Sequence, residues 1–271
     1  MLLTDWGDYG HYQPLSASWY PYLFGAATAW TGAQTTPEEF DAAFAPLFLG
    51  VPSGDIAVGA MRRLGRAVTA PTLGLRNRSR LTLGLFEDPL KGPVSLAADT
   101  GDVREVHSAA QEAIAAWATL PDEHLRHDLG YVARLAAFAA FKTLRAQELR
   151  ETLESGSSNA LDEARAALAA DRQLVSALRS EFETVWLGHA RRSEIQVVLD
   201  HFDALDQRYA DALGWIAEQR PGATADVSTY SPRPAAILWE QGRAELRKLA
   251  EVAGDSLPED VRGWIHPSPE Q

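Results

Sequence analysis

Apolar positions in the second half of the chain recur every three or four residues. Between 158 and 189, Leu161, Ala164, Leu168, Val175, Leu178, Phe182 and Val185 form one stripe, with arginines and carboxylates on the opposite face. Between 193 and 219 the pattern returns with Ile195, Val198, Phe202, Leu205, Tyr209 and Ile216. A stripe of this period belongs to a helix that buries one side. Together with 102–120 and 122–154 it predicts four helices, separated at "LPD", "SGSS" and "RRS". Loops this short make consecutive helices antiparallel neighbours. The stripes read as core, not as faces for a cofactor. A last segment, "PAAILWEQGRAELRKLAEVAG", carries a helical pattern, and the tail ending in "HPSPEQ" reads as disordered.

The first half is less regular. "LLTDWG" reads as a buried strand running into a polar turn, and "SWYPYLFGAATAW" as the start of an apolar helix. In "TTPEEFDAAFAPLFLG", Thr36 stands as cap, Pro37 takes the first helical position and Glu39 completes a capping box. Asp55 caps "IAVGAMRRLGRAV" in the same way. From 72 to 99 the pattern loosens: Leu81, Leu83 and Leu85 alternate with Thr82 and Gly84, and "FEDPLKGP" interrupts the chain with two prolines, as a connecting region would. The expected organisation is therefore 1–70, a connection over 71–100, a helical domain over 101–255 and a tail over 256–271. No internal repeat of fixed period is present.

Composition narrows the function classes. With 271 residues and 46% hydrophobic content, a folded core is expected. A net charge of −12 argues against nucleic acid and anionic membrane surfaces, because both need a basic face. The absence of cysteine removes disulfides, thiolate metal sites and a cysteine nucleophile, and fits a reducing compartment. No apolar run approaches the roughly 20 residues of a membrane span, and no signal peptide is recognisable. The expected location is cytoplasmic, unless a preceding segment carries a signal.

One stretch, "TDWGDYGHYQPLSASWYPYLFGAATAW", gathers acidic, aromatic and imidazole groups as the rim of a site does. Residue by residue it admits several readings. Trp6 fills a core, Asp5 and Asp8 cap a turn and His11 is a surface group; or Asp5, Asp8 and His11 ligate a metal; or Asp5 and Asp8 form a carboxylate pair for glycoside hydrolysis. No serine elbow, phosphate loop or paired-histidine zinc motif competes with it.

As a whole string, Trp6-Gly7-Asp8, Gly10-His11, Tyr20-Pro21, Gly25-Ala26 and Trp30 resemble the end of the catalytic barrel in bacterial glycoside hydrolase family 20, the β-N-acetylhexosaminidases. "LFEDPLKG" and "FETVWLGHARRSE" extend the likeness toward the helical C-terminal region of such enzymes. The resemblance implies a mainly α chain: the remnant of the last β/α unit of a TIM barrel, then a helical bundle. It implies that Trp6 walls the apolar face of an N-acetylhexosamine, that Asp8 accepts hydrogen bonds from its hydroxyls, and that His11 lines the mouth of the pocket. In that family the substrate's acetamido oxygen attacks the anomeric carbon while an Asp-Glu pair orients it and protonates the leaving group. That pair lies on an earlier strand, so no residue here inherits a catalytic role. No metal or cofactor is implied. The implied partners are N-acetylhexosamine-containing glycans and an upstream catalytic polypeptide. Two other readings stand beside this one: a non-catalytic helical interaction or structural protein, and a carbohydrate-binding module using the aromatic cluster of Trp6, Trp19 and Tyr20.

Overall fold

A computed structural model describes residues 11–75, 78–220 and 225–232. Of these, 74% are helical, in nine α-helices and short 3-10 and π-helical turns. The extended pairing among them is one two-residue ladder, β1 (Gly74–Leu75) against β2 (Arg78–Ser79), antiparallel. The chain is thus mainly α, as the stripes predict. The expected strand at "LLTDWG", the segment "PAAILWEQGRAELRKLAEVAG" and the tail 256–271 lie outside the described residues.

The first helices are built on aromatic contacts. A 3-10 turn, Leu15–Ser18, leads into α1 (Trp19–Thr31), which ends where Gly32 turns left-handed at φ 63°. A side chain is disfavoured in that conformation, so glycine suits the helix stop. The capping box predicted for α2 (Pro37–Phe44) is present: the Thr36 hydroxyl accepts from the Glu39 N–H at 3.2 Å, and the Glu39 carboxylate accepts from the Thr36 N–H at 3.0 Å. A π-helical turn, Ala45–Leu49, extends α2. Phe40, Phe44 and Phe48 line this element and meet Tyr20, Phe24 and Trp19 of α1 at ring-centroid distances of 5.1 to 5.6 Å. Asp55 caps α3 (Ile56–Val68) through the Ala57 N–H, also as predicted.

Two short helices follow, α4 (Arg80–Gly84) and α5 (Pro93–Leu96). Leu81, Leu83 and Leu85, in the stretch read as a connecting region, form a helix and its continuation, all buried. Ser79 caps α4 by accepting from the Leu81 N–H at 3.3 Å. The region read as a connection is among the most enclosed parts of the protein, with 81 and 83 through 95 all buried.

The four long helices fall close to their predicted limits: α6 (Thr100–Trp117), α7 (Glu123–Glu154), α8 (Ala160–His189) and α9 (Ile195–Glu218). Each packs on the next, and α6 also packs on α3, where the Trp117 indole N–H donates to the Ala57 carbonyl at 3.0 Å. Every apolar residue named in the α8 and α9 stripes is buried. One continuous core runs from Phe44 through these helices to Tyr230. Outside it, bidentate pairs such as Arg172–Asp206 fasten α8 to α9 at 2.7 Å. Exposed pairs of this kind contribute only about 0.2–1 kcal/mol each, so apolar burial decides the packing. No helix among the described residues is long and apolar enough to cross a membrane.

Leu168 is fully enclosed, whereas Trp30 is 92% exposed. Leu168→Ala is expected to lower the unfolding free energy by about 2–5 kcal/mol, and Trp30→Ala to change it by no more than about 0.5 kcal/mol. Urea denaturation of both variants checks the assignment; equal effects would contradict it.

Candidate functional site

Of the three residues expected to contact a sugar, Trp6 and Asp8 lie outside the described residues, as does Asp5. His11 is described. It is half-buried, and its Nδ1 donates to the Gln13 carbonyl at 2.8 Å, an intraloop bond that fixes the ring. Among the described residues no group of three or more His, Asp or Glu is placed to hold a metal ion.

The chain just after His11 is tied to the bundle at two points. Tyr12 lays its ring on Phe86 at 5.1 Å, and its hydroxyl hydrogen-bonds Nδ1 of His201 on α9. Four residues on, the Ser16 hydroxyl donates to Asp128 of α7 at 2.7 Å, and the same carboxylate oxygen meets His189 Nε2, at the end of α8, at 2.7 Å. The sequence of contacts is serine, carboxylate, imidazole. The carboxylate stands between the other two, so the imidazole does not reach the hydroxyl to act as its base, and the arrangement anchors rather than activates. Gln13 adds a bond to Ser18 at 3.2 Å. The bundle thereby holds the segment that leaves His11. Burial raises the Tyr12 hydroxyl's pKa and lowers that of His201, so both are neutral near pH 7.

A second polar group lies deeper and was not foreseen as a site. It is centred on Lys142, in the middle of α7, where the ammonium donates to the Gly84 carbonyl at 2.8 Å. Burial brings Lys142 down to about 8, opposed by the charges of Glu87 and Asp88. Those two carboxyls are pushed up by burial and held partly down by the Lys142 charge and the hydrogen bonds they accept. Glu87 accepts from the Val94 and Ser95 N–H groups, both at 3.0 Å. Asp88 accepts from the Leu90 and Lys91 N–H groups at 2.8 and 3.0 Å, and from the Tyr230 hydroxyl at 2.8 Å. Lys91 reaches across to the Ser228 carbonyl at 3.1 Å, and Arg208 of α9 completes the charge balance beside Asp88.

Gly92 is a requirement of this packing. A Cβ there would stand 2.6 Å from Glu87 Oε2 and 2.8 Å from Glu87 Cβ, closer than atoms tolerate. "FEDPLKGP" thus specifies a tight polar knot whose two acids, lysine and glycine each have a fixed task. The signal present in the sequence was the density of charge and turn residues in a stretch flanked by leucines.

No protein-family model matches the chain, nor does any curated protein or solved structure.

Asp171 of α8 supplies a pH-dependent check on this interior. It is 1% exposed, lies 3.8 Å from Arg145 Nε, and its Oδ2 has no hydrogen-bond partner. Burial raises it from 3.8 to about 6. Between these values the folded chain binds a proton that the unfolded chain has released, so the stability Asp171 contributes is fully present below about 3.8 and is lost as pH rises through about 6. Asp171→Asn should remove this loss. Its stability relative to the parent is expected to improve between pH 4 and pH 7 in guanidinium titrations, and a constant difference across that range would show that Asp171 stays charged throughout.

Proposed function

We propose that the chain is the C-terminal portion of a β-N-acetylhexosaminidase-like glycoside hydrolase, contributing Trp6, Asp8 and His11 to a sugar site whose catalytic Asp-Glu pair comes from a preceding polypeptide. The observation that carries this reading is the string over residues 4–30, whose features recur in the order that family uses. Two properties of the protein support it. The residues just beyond His11 are fastened to the bundle through Tyr12 and Ser16, which gives a rim segment a fixed position. The helix that continues the string, α1, contains no charged residue, and none of its 13 residues is buried, so its outer face is suited to lie against a further body.

In this reading the chain's residues position the sugar and the substrate supplies its own nucleophile. Trp6 stacks on the apolar face of the pyranose. Asp8 accepts charge-assisted hydrogen bonds from the outer hydroxyls. Both hold the acetamido oxygen within attack distance of the anomeric carbon, which is where binding energy is converted to rate. The chain alone lacks an acid for the leaving group and is inactive.

A second reading, a non-catalytic helical interaction protein or carbohydrate-binding module, draws on the continuous core from Phe44 to Tyr230, which the described helices form among themselves. Reconstitution separates the two. Fused or co-expressed with an upstream barrel segment carrying the Asp-Glu pair, the protein is expected to hydrolyse a nitrophenyl N-acetylglucosaminide that the chain alone leaves intact. Asp8→Ala should then lower kcat/KM roughly 10- to 100-fold, corresponding to the loss of charged hydrogen bonds. Trp6→Ala should lower kcat as well, and His11→Ala less. If Asp8→Ala keeps full activity while Trp6→Ala only lowers Tm, the string is a packing motif and the second reading holds.

A further inference from the structure

Three buried polar atoms, one from each of three neighbouring helices, approach one another without hydrogen-bonding. On α8 the Asp171 carboxylate is 1% exposed, and its Oδ2 stands 3.8 Å from Nε of Arg145 on α7. That separation is longer than a hydrogen bond. On α9 Tyr209 is fully enclosed, and its hydroxyl lies within electrostatic range of both Asp171 and Arg145. The bidentate Arg172–Asp206 pair brings these positions side by side, since Asp171 precedes Arg172 and Tyr209 follows Asp206 by nearly one turn. No described residue hydrogen-bonds Asp171 Oδ2, Arg145 Nε or the Tyr209 hydroxyl.

The three atoms are chemically complementary. Arg145 Nε–H donates, the ionised Asp171 oxygen accepts, and a phenol does either. Each gives up its bonds to water when the chain folds, and a buried polar atom is ordinarily paired again. A donor and an acceptor held 3.8 Å apart leave a gap that one small bridging molecule closes.

We propose that the point between Arg145, Asp171 and Tyr209 is a binding site for a single water molecule, which accepts from Arg145 Nε, donates to Asp171 Oδ2 and shares a third hydrogen bond with the Tyr209 hydroxyl. Charge and surroundings select water over other occupants. An anion would meet the Asp171 carboxylate. A cation would meet Arg145 and also Lys142, one turn earlier on α7, whose charge reaches Asp171 as well. About one turn away the neighbours are apolar and buried, Leu168 and Val175 on α8 and Leu205 and Ala212 on α9, so a larger polar molecule finds no further partner there. Water is neutral, both donates and accepts, and makes about three hydrogen bonds at such interior sites. It also serves Asp171 in both protonation states, donating to the carboxylate and accepting from the carboxyl.

The site continues the Lys142 knot toward α8. Arg208, the residue before Tyr209, interacts with Asp88, so α9 faces the knot and the water site with consecutive residues. One molecule then joins α7, α8 and α9 where no direct pair does, whether or not Trp6 and Asp8 contact a sugar.

Diffraction from crystals of the full chain tests the site directly. An ordered water is expected about 3.2 Å or less from Arg145 Nε, Asp171 Oδ2 and the Tyr209 oxygen. Direct hydrogen bonds among these three groups, an ion between them, or a dry interior there would each overturn the assignment. Tyr209→Phe supplies a second reading in solution, because it removes the hydroxyl and keeps the ring. A bridged hydroxyl contributes a hydrogen bond, so the unfolding equilibrium constant of Tyr209→Phe at fixed urea is expected to exceed the parent's about two- to tenfold. An unpaired hydroxyl gives the opposite sign, since phenylalanine then relieves a buried polar group. A constant equal to the parent's or below it would therefore contradict the water bridge.

Discussion

A lysine ammonium enclosed at 1% exposure in the middle of a 32-residue helix is the constraint on which the rest of this protein is arranged. Removing such a charge from water costs several kcal/mol unless partners surround it. Lys142 obtains a carbonyl from Gly84 and the fields of Glu87 and Asp88, and these can be present only if 84–95 is folded into the interior. Asp88 in turn holds Tyr230, and Lys91 holds Ser228, so the segment after α9 is drawn onto the same knot. One buried charge thus sets the placement of two stretches that would otherwise lie on the surface.

The same principle, a polar group whose partner comes from far along the chain, governs the N-terminal segment. Tyr12 and His201 are 189 residues apart, and Ser16 and Asp128 are 112 apart. Between these ties and the Lys142 knot lies Phe86, which touches Tyr12, His201 and Phe202. The seat of the segment after His11 is therefore made from side chains contiguous with the charged interior.

This geometry explains what the sequence disclosed. The helices were legible because their information is local: the Thr36 and Asp55 caps act within three residues, and the stripes of α8 and α9 repeat within one turn. The burial of 81–95 was not legible, since loosened leucine spacing and two prolines beside two acids and a lysine give no periodic apolar face. Their partners include Lys142, Arg208 and Tyr230, which no local pattern relates to them. The candidate site was readable only as a string resembling a known barrel end. His11 could be located from it, but its neighbours' anchors could not, because nothing in Tyr12 or Ser16 points to a particular histidine or aspartate over a hundred residues away.

Lys142→Met is the most direct measurement of whether the knot organises the fold. Methionine fills a similar volume without the charge, so any loss reports the stranded carboxylates and not a cavity. The variant is expected to lose about 3–5 kcal/mol of unfolding free energy at pH 7, with hydrogen-exchange protection falling over both 84–95 and 225–230 before the helices open. A variant as stable as the parent, with both segments still protected, would show that apolar packing alone holds them and that Lys142 is a passenger.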